Sequence, residues 1–185
     1  MRVIAGKWKS HMLKAPKGSD TRPTTDRVKE SMFNLLPHQL EGVVVDLFAG
    51  SGALGIEALS RGAESAVFVD ADRRAVSVIR DNLTRLGALE QSRVWSCDWK
   101  SAIRRIPSEV GSVTWIFLDP PYRAHLWEPV MQSLSDFPLT GGVLCEMPKD
   151  VSLPDEINGL VQVKYKVYGD IAVGIYTKES QKVHR

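Results

Sequence analysis

From residue 43 onward the chain alternates short apolar runs with stretches of helical spacing. Residues 43–48 (VVVDLF) form an apolar run closed by Gly50, the pattern of a strand buried on both faces. Helical spacing follows over 53–61 and ends before Gly62. The same alternation predicts strands at 65–70, 93–97, 113–118 and 142–146. Between them it predicts helices at 73–86 (ended by Gly87), 99–106 (stopped by Pro107) and around 126–135. Two final strands, 161–168 and 171–176, flank Gly169 and Asp170, a pair suited to a two-residue type II′ hairpin turn. Strand–helix alternation implies a parallel sheet with right-handed crossovers, and the closing hairpin adds an antiparallel strand at one edge. The expected fold is α/β and Rossmann-like, a mostly parallel seven-stranded sheet with an antiparallel last strand.

Residues 1–40 read as a short extension in front of a single domain spanning 41–185. Residues 2–13 alternate weakly and suit a strand or hairpin, and 15–20 (APKGSD) read as a loop. Thr24, Thr25 and Asp26 offer N-caps to a helix through residue 36, with Val28, Met32, Leu35 and Leu36 on one face.

Composition narrows the picture. With 43% hydrophobic and 25% charged residues, the chain has the balance of a soluble globular domain. No apolar stretch approaches the roughly 20 residues of a membrane span, and residues 1–14 lack the apolar segment of a secretory signal, which points to the cytoplasm. Cys97 and Cys145 stand far apart and the four histidines are scattered, so neither a disulfide framework nor a metal site is expected. Charge is uneven. Residues 1–40 carry eight Lys/Arg against three Asp/Glu (+5), whereas 41–185 carry sixteen against nineteen (−3). A basic arm on a slightly acidic domain suits a polyanionic partner, although a solvated lysine-rich terminus has the same composition.

Candidate chemistry gathers at the ends of the predicted strands. The first runs into DLFAGSGALG (46–55), whose glycines permit a tight turn and close backbone approach to a ligand at the carboxyl edge of the sheet. Nicotinamide, flavin and S-adenosylmethionine binders share this pattern. Asp70 ends the second strand, where a carboxylate can accept hydrogen bonds from ribose hydroxyls; Asp72 is the local alternative, and one of the two can instead cap the next helix. Asp98 ends the third strand and can accept from an adenine amino group. An acid after each of the first three strands repels a pyrophosphate and favours the sulfonium of S-adenosylmethionine.

The fourth strand ends in DPPY (119–122), the most specific signal in the chain. It matches the motif of methyltransferases acting on exocyclic amines of adenine, guanine or glutamine. An aryl amine is a poor nucleophile because its lone pair is delocalised into the ring. Accepting both amine hydrogens, on the Asp119 carboxylate and the Pro120 carbonyl, draws the nitrogen towards tetrahedral geometry. Pro120 and Pro121 stiffen the loop, and Tyr122 can stack on a base, typically worth about 1–3 kcal/mol.

With these residues placed, the chain resembles the RsmD family of bacterial small-subunit (16S) ribosomal RNA guanine-(N2)-methyltransferases. The resemblance covers nearly the whole chain. It rests on RVIAGKWK (2–9), RPTTDRVKE (22–30), DLFAGSGALG (46–55) with EALSRG (57–62), DPPY (119–122) and YGD (168–170). The glycine loop and DPPY are shared by many methyltransferases, whereas RPTTDRVKE is much more specific to the family. The resemblance implies a Rossmann-like methyltransferase fold, S-adenosyl-L-methionine as cofactor, and ribosomal RNA in partly assembled small subunits as substrate, with a monomeric enzyme and no metal. It implies Asp119, Pro120, Pro121 and Tyr122 as catalytic residues. Cofactor contacts are expected from Asp46, Phe48, Gly50, Ser51, Gly52, Asp70, Ala71, Asp98, Trp99 and Asp119. RNA contacts are expected from Arg2, Lys7, Trp8, Lys9, Arg22, Thr24 and Arg27, with a hydrophobic anchor as the other reading of Trp8. Trp95, Trp99, Trp115 and Trp127 fit core or partly buried positions.

Other functions fit less well. A DNA adenine methyltransferase uses the same loop but usually carries a sizeable target-recognition domain. A glutamine methyltransferase would prefer Asn at position 119. A nicotinamide oxidoreductase leaves DPPY unexplained, and a non-catalytic assembly factor on this scaffold would not need an intact Asp119.

Overall fold

The computed structural model describes residues 1–18 and 24–178. The parallel strands are β1 (Val43–Asp46), β2 (Ser65–Asp70), β3 (Ser92–Ser96), β4 (Val113–Leu118) and β5 (Leu139–Pro148). Helices α1 (Asp26–Asn34), α2 (Ala53–Ser60), α3 (Arg73–Leu86), α4 (Trp99–Glu109) and α5 (Trp127–Gln132) precede or connect them. Three further strands, β6 (Glu156–Ile157), β7 (Leu160–Tyr168) and β8 (Ile171–Lys178), complete one sheet in the order β3-β2-β1-β4-β5-β8-β7-β6. Apolar side chains of α1, α2 and α3 fill one face of the sheet and those of α4 and α5 the other. No helix among the described residues is long and apolar enough to cross a membrane.

The sheet departs from the sequence pattern in two ways. It has eight strands rather than seven, because Glu156–Ile157 folds back on β7 as a two-residue edge strand. The connecting Asn158 and Gly159 both have positive φ (51° and 82°), the geometry of a type I′ turn. In addition, the antiparallel strand is not at the edge. β8 is inserted between β5 and β7, antiparallel to both, from Gly142↔Thr177 to Pro148↔Ile171 on the β5 side. Its residues Ile171 to Tyr176 are all buried, so it needs a neighbour on each side, whereas β7 exposes Lys164 and Lys166 and tolerates an outer place.

Helix α4 also runs through Pro107 instead of stopping there. The lost N–H falls in the last turn, and two features span it: the Arg105–Glu109 ion pair (3.0 Å) and the Val110 N–H bond to the Ile106 carbonyl (2.8 Å). Helix α5 is shorter than the 126–135 expectation. Elsewhere the caps are as predicted: Thr25 accepts from the Val28 N–H at the start of α1, and Gly87 in the left-handed region ends α3.

Ahead of α1, residues 1–18 of the extension form an isolated bridge, Arg2↔Met12, rather than a hairpin of named strands, but they are firmly docked. Val3, Trp8 and Leu13 join the same apolar cluster as α1, α2 and α3. Helix α2 is buried along its whole length beneath it. Gly6 makes the approach possible, since a Cβ there would lie 1.8 Å from the Ser60 carbonyl oxygen. Ser60 Oγ accepts from the Trp8 N–H (2.9 Å) and donates to the Ala5 carbonyl (2.6 Å). Glu57 accepts from the amides of Ile4 (3.0 Å) and Ala5 (3.1 Å). Asn82 of α3 accepts from the Lys14 N–H (2.9 Å) and donates to the carbonyls of Lys14 and Ser51, tying the arm to the glycine loop.

Candidate active site

The carboxyl ends of β1, β2 and β4 open onto a cavity of about 790 Å³. Its lining includes Asp46, Phe48, Gly50, Ser51, Asp70, Ala71, Asp98, Trp99 and Asp119 from the expected cofactor set, together with Thr24 and Pro121. Gly52, Pro120 and Tyr122 do not line it. The sequence reading missed Met1, Pro16 and Leu126, which complete the wall; only their spatial neighbours reveal them.

The loop between β1 and α2 is held from both ends. Gly50 and Gly52 have φ of +58° and +82°, which other residues adopt only with strain. Gly52 caps α2 without a side chain, so no capping side chain satisfies the first amides of the helix. Asp46 Oδ2 accepts from the Gly55 N–H (2.9 Å), so this buried carboxylate braces the loop from beneath. Burial pushes the Asp46 carboxyl up to about 7, with the Gly55 N–H opposing and the Asp70 charge adding.

Their bonds show which of Asp70 and Asp72 caps the helix. Asp72 is the N-cap of α3, accepting from the Arg74 N–H (2.8 Å) and pairing with the Arg74 guanidinium (3.0 Å). Asp70 Oδ2 accepts from the Gly50 N–H (2.9 Å) and Oδ1 from the Asp72 N–H (2.9 Å). Each oxygen keeps a further lone pair for a hydroxyl in the cavity. Asp98 is the N-cap of α4, accepting from the Ser101 N–H (2.9 Å) and hydroxyl (3.0 Å). The Ser101 N–H holds its carboxyl below the usual range. Among the described residues the lining carries five carboxyl groups, Asp46, Asp70, Asp72, Asp98 and Asp119, and the guanidinium of Arg74, which Asp72 engages. This acidic lining suits a neutral or cationic adenosyl group rather than a pyrophosphate.

Asp119 follows the last residue of β4 and opens on the cavity. Burial drives its carboxyl well above the usual range, and the charges of Glu146 and Asp46 push the same way. Tyr122 begins a short 3-10 turn, Tyr122–Ala124, its ring 6.1 Å from Trp127 between centroids. Glu146 of β5 lies below the loop, and the sequence reading assigned it no role. Only 1% exposed, it accepts from the Thr24 hydroxyl on Oε2 (3.0 Å) and the Tyr122 hydroxyl on Oε1 (3.3 Å). Its main-chain carbonyl accepts from the Trp127 indole N–H (2.8 Å). Burial raises the Glu146 carboxyl, and the two hydroxyl bonds oppose the rise.

The expected RNA contacts separate. Lys7, Lys9 and Arg27 are exposed, and Arg2 is exposed while paired with Asp26 (3.0 Å). Two need correction. Trp8 is only 5% exposed and packs in the core beneath Lys7 Nζ, so it anchors the arm and offers no free face for stacking. Thr24 is buried with its hydroxyl on Glu146, and belongs to the cavity rather than to an RNA surface. Arg22 lies outside the described residues. Of the tryptophans, Trp95, Trp115 and Trp127 are buried and Trp99 is half-exposed at the cavity.

A sheet of this order, with an antiparallel strand set inside its far half and a glycine-loop cavity at the carboxyl edge, defines a Rossmann-like methyltransferase fold. Residues 1–177 match the family described as Conserved hypothetical protein 95, and the chain belongs to it, the RsmD family. It is similar to YlbH of Bacillus subtilis (strain 168), 40% identical over 182 residues covering 96% of this chain and 99% of that protein. It is also similar to ribosomal RNA small subunit methyltransferase D of Escherichia coli (strain K12), 35% identical over 191 residues, 98% of this chain and 91% of that one. A solved structure described as a conserved hypothetical protein of Streptococcus pyogenes superposes with a TM-score of 0.76 at 35% identity, covering 85% of this chain and 99% of its own.

Proposed function

We propose that the protein transfers a methyl group from S-adenosyl-L-methionine to the exocyclic 2-amino group of a guanine in small-subunit ribosomal RNA, within a partly assembled subunit. One observation carries the reading: Asp119 lines the same cavity as the glycine loop and Asp70. An amine held by the 119–122 loop is therefore beside the place where a cofactor would sit. The relative named as ribosomal RNA small subunit methyltransferase D supports the substrate class.

Gly50, Ser51, Phe48 and Ala71 would hold the cofactor along the loop, Asp70 its ribose hydroxyls, and Asp98 and Trp99 its adenine. The cofactor supplies an electrophilic methyl group on a sulfonium, and the acidic lining favours that cation. Asp119 and the Pro120 carbonyl accept the two amine hydrogens and turn the nitrogen lone pair towards the methyl carbon. With the cofactor bound, its S–C bond would break as the N–C bond forms, the neutral thioether would leave, and Asp119, whose proton affinity is raised, would take one amine proton. Tyr122 offers a ring to the base. Much of the acceleration comes from alignment, because the prolines fix the acceptors before the base arrives. Residues 1–40 form the basic extension that meets RNA phosphates through Arg2, Lys7, Lys9 and Arg27, on a domain that acts as a monomer in the cytoplasm.

The test is methyl transfer from labelled S-adenosylmethionine to small subunits lacking the modification, with double-stranded DNA in parallel and nucleosides resolved by mass spectrometry. Label in 2-methylguanosine is the expected result. Label in DNA adenine overturns the substrate. Cofactor binding without transfer to either leaves a protein substrate or an assembly factor.

A further inference from the structure

Glu146 is a buried charge-bearing group of this region that the methyl-transfer chemistry does not use, and unlike Asp46 it does not brace the glycine loop. Strands β4 and β5 are parallel with Leu118 opposite Cys145, which sets Glu146 beside Asp119. The groups facing this pair come from every side: Asp46 at the end of β1, Thr24 just before α1, Tyr122 in the 3-10 turn and the Trp127 indole of α5. Among the described residues no Lys, Arg or His forms an ion pair with Glu146 or Asp119. A carboxyl buried as Glu146 is, beside a second one at the cavity wall and with no ion-pair partner among the described residues, is unfavourable for folding, and an apolar residue would fill the position at less cost. What Glu146 provides in return is geometry, because each of its oxygens holds a different segment of the site.

We propose that Glu146 is a positioning residue for methyl transfer, joining the Asp119–Tyr122 loop to the start of α1 through its bonds to Tyr122 and Thr24. It touches neither substrate nor cofactor. Its Oε1 fixes the Tyr122 hydroxyl and so the tilt of the ring offered to the base. Its Oε2 draws in Thr24, which forms part of the cavity wall. Its negative charge also keeps the neighbouring Asp119 a stronger proton acceptor than an isolated carboxylate. The inference rests on the methyl-transfer reading, in which Asp119 works ionised.

The experiment compares the full-length protein with Glu146→Gln, a substitution of similar shape that removes the charge. Three quantities are measured: S-adenosylmethionine affinity by calorimetry, kcat and KM on small subunits from pH 5.5 to 9, and a carbon-13 NMR titration of the side-chain carboxyls. Expected are cofactor affinity within about threefold, kcat reduced at least about tenfold near pH 8, and the acid limb of kcat moved to lower pH. The Asp119 carboxyl resonance should titrate lower by the same amount. An unmoved Asp119 titration with wild-type kcat overturns the proposal, as does a loss of activity that merely parallels a loss of cofactor affinity and melting temperature. Should Glu146→Gln fail to fold, Thr24→Val and Thr24→Ser test the same tie: Val lowers kcat and Ser retains it, and equal rates overturn the proposal. Absence of transfer by the wild-type protein instead overturns the methyl-transfer reading, while the NMR titration still reports on Glu146.

Discussion

Replacing Lys29 with Met tests the buried ion pair that fastens the extension to the domain. Lys29 Nζ lies 3.3 Å from Glu57 Oε2, both side chains are 0% exposed, and Nζ also donates to the Arg2 carbonyl. Burial lowers the Lys29 ammonium from its usual range, and Glu57 is the main group holding it up. Removing one partner of a buried pair typically costs about 3–5 kcal/mol. Glu57 keeps Arg61 (2.9 Å) and the Ile4 and Ala5 amides, so Lys29→Met belongs at the lower end, about 3 kcal/mol. Glu57→Ala is worse: it removes the ammonium's carboxylate partner and leaves the part-buried amides of Ile4 and Ala5 without their acceptor, each amide adding about 1 kcal/mol. In a chain of this length 3 kcal/mol lowers the melting temperature by about 6–12 °C. Urea and thermal unfolding of Lys29→Met, Glu57→Gln and the Lys29→Met/Glu57→Gln double variant give the coupling, expected to be at least about 1 kcal/mol in favour of the pair. Hydrogen exchange at Ile4 and Ala5 should accelerate first. A Lys29→Met protein melting within about 2 °C of wild type, or a double variant that is simply additive, refutes the reasoning.

Three other outcomes are expected. Asp119→Ala lowers kcat by about 10³-fold while calorimetry finds S-adenosylmethionine affinity within about threefold; collapse of that affinity would deny the division between cofactor and amine sites. Asp46 is raised to about 7, so the native state holds its proton more tightly than the unfolded chain, and its ionisation costs stability as pH rises from about 4 to 7. Asp46→Asn, which keeps an oxygen for the Gly55 amide, should therefore match or exceed wild-type stability at pH 8 and lose that advantage near pH 4. Denaturant midpoints that run parallel across this range contradict the assignment. Neutralising Lys7 and Lys9 together, both exposed, should weaken RNA binding and reduce the log–log salt slope by about 1.5, two single-strand phosphate contacts. An unchanged slope removes them from the interface.

The parts of this protein legible in its sequence are those whose cause is local. The β1–α2 loop needs its glycines, β4 must end where Pro120 and Pro121 forbid a ladder, and Gly87 must end α3, so each left a short-range signature. Asn158-Gly159 left one too, and β6 was overlooked because a two-residue strand has no periodicity to announce it. The place of β8 inside the sheet was legible in principle, since a run with no exposed position cannot sit at an edge. Glu146 was not legible: one acid in an apolar strand resembles a half-exposed position, and its partners are 122 and 24 residues away. Trp8 was ambiguous for the same reason, because the Ser60 shelf that receives its backbone is 52 residues distant.

These long-range partners place a constraint on Thr24 and Lys29 that differs in kind from the local turn chemistry of the glycine loop and DPPY. Thr24 and Lys29 each insert into a buried polar lock whose other half, Glu146 or Glu57, stands in the domain. A loop that only turns or binds a common cofactor can be shared among many enzymes. A segment whose hydroxyl and ammonium must each meet a particular buried carboxylate is constrained by both partners at once, and changing either alone leaves an unpaired group in the core. The arm is thereby tied through Thr24 to Glu146, whose other oxygen holds Tyr122, and through Lys29 to Glu57 of α2.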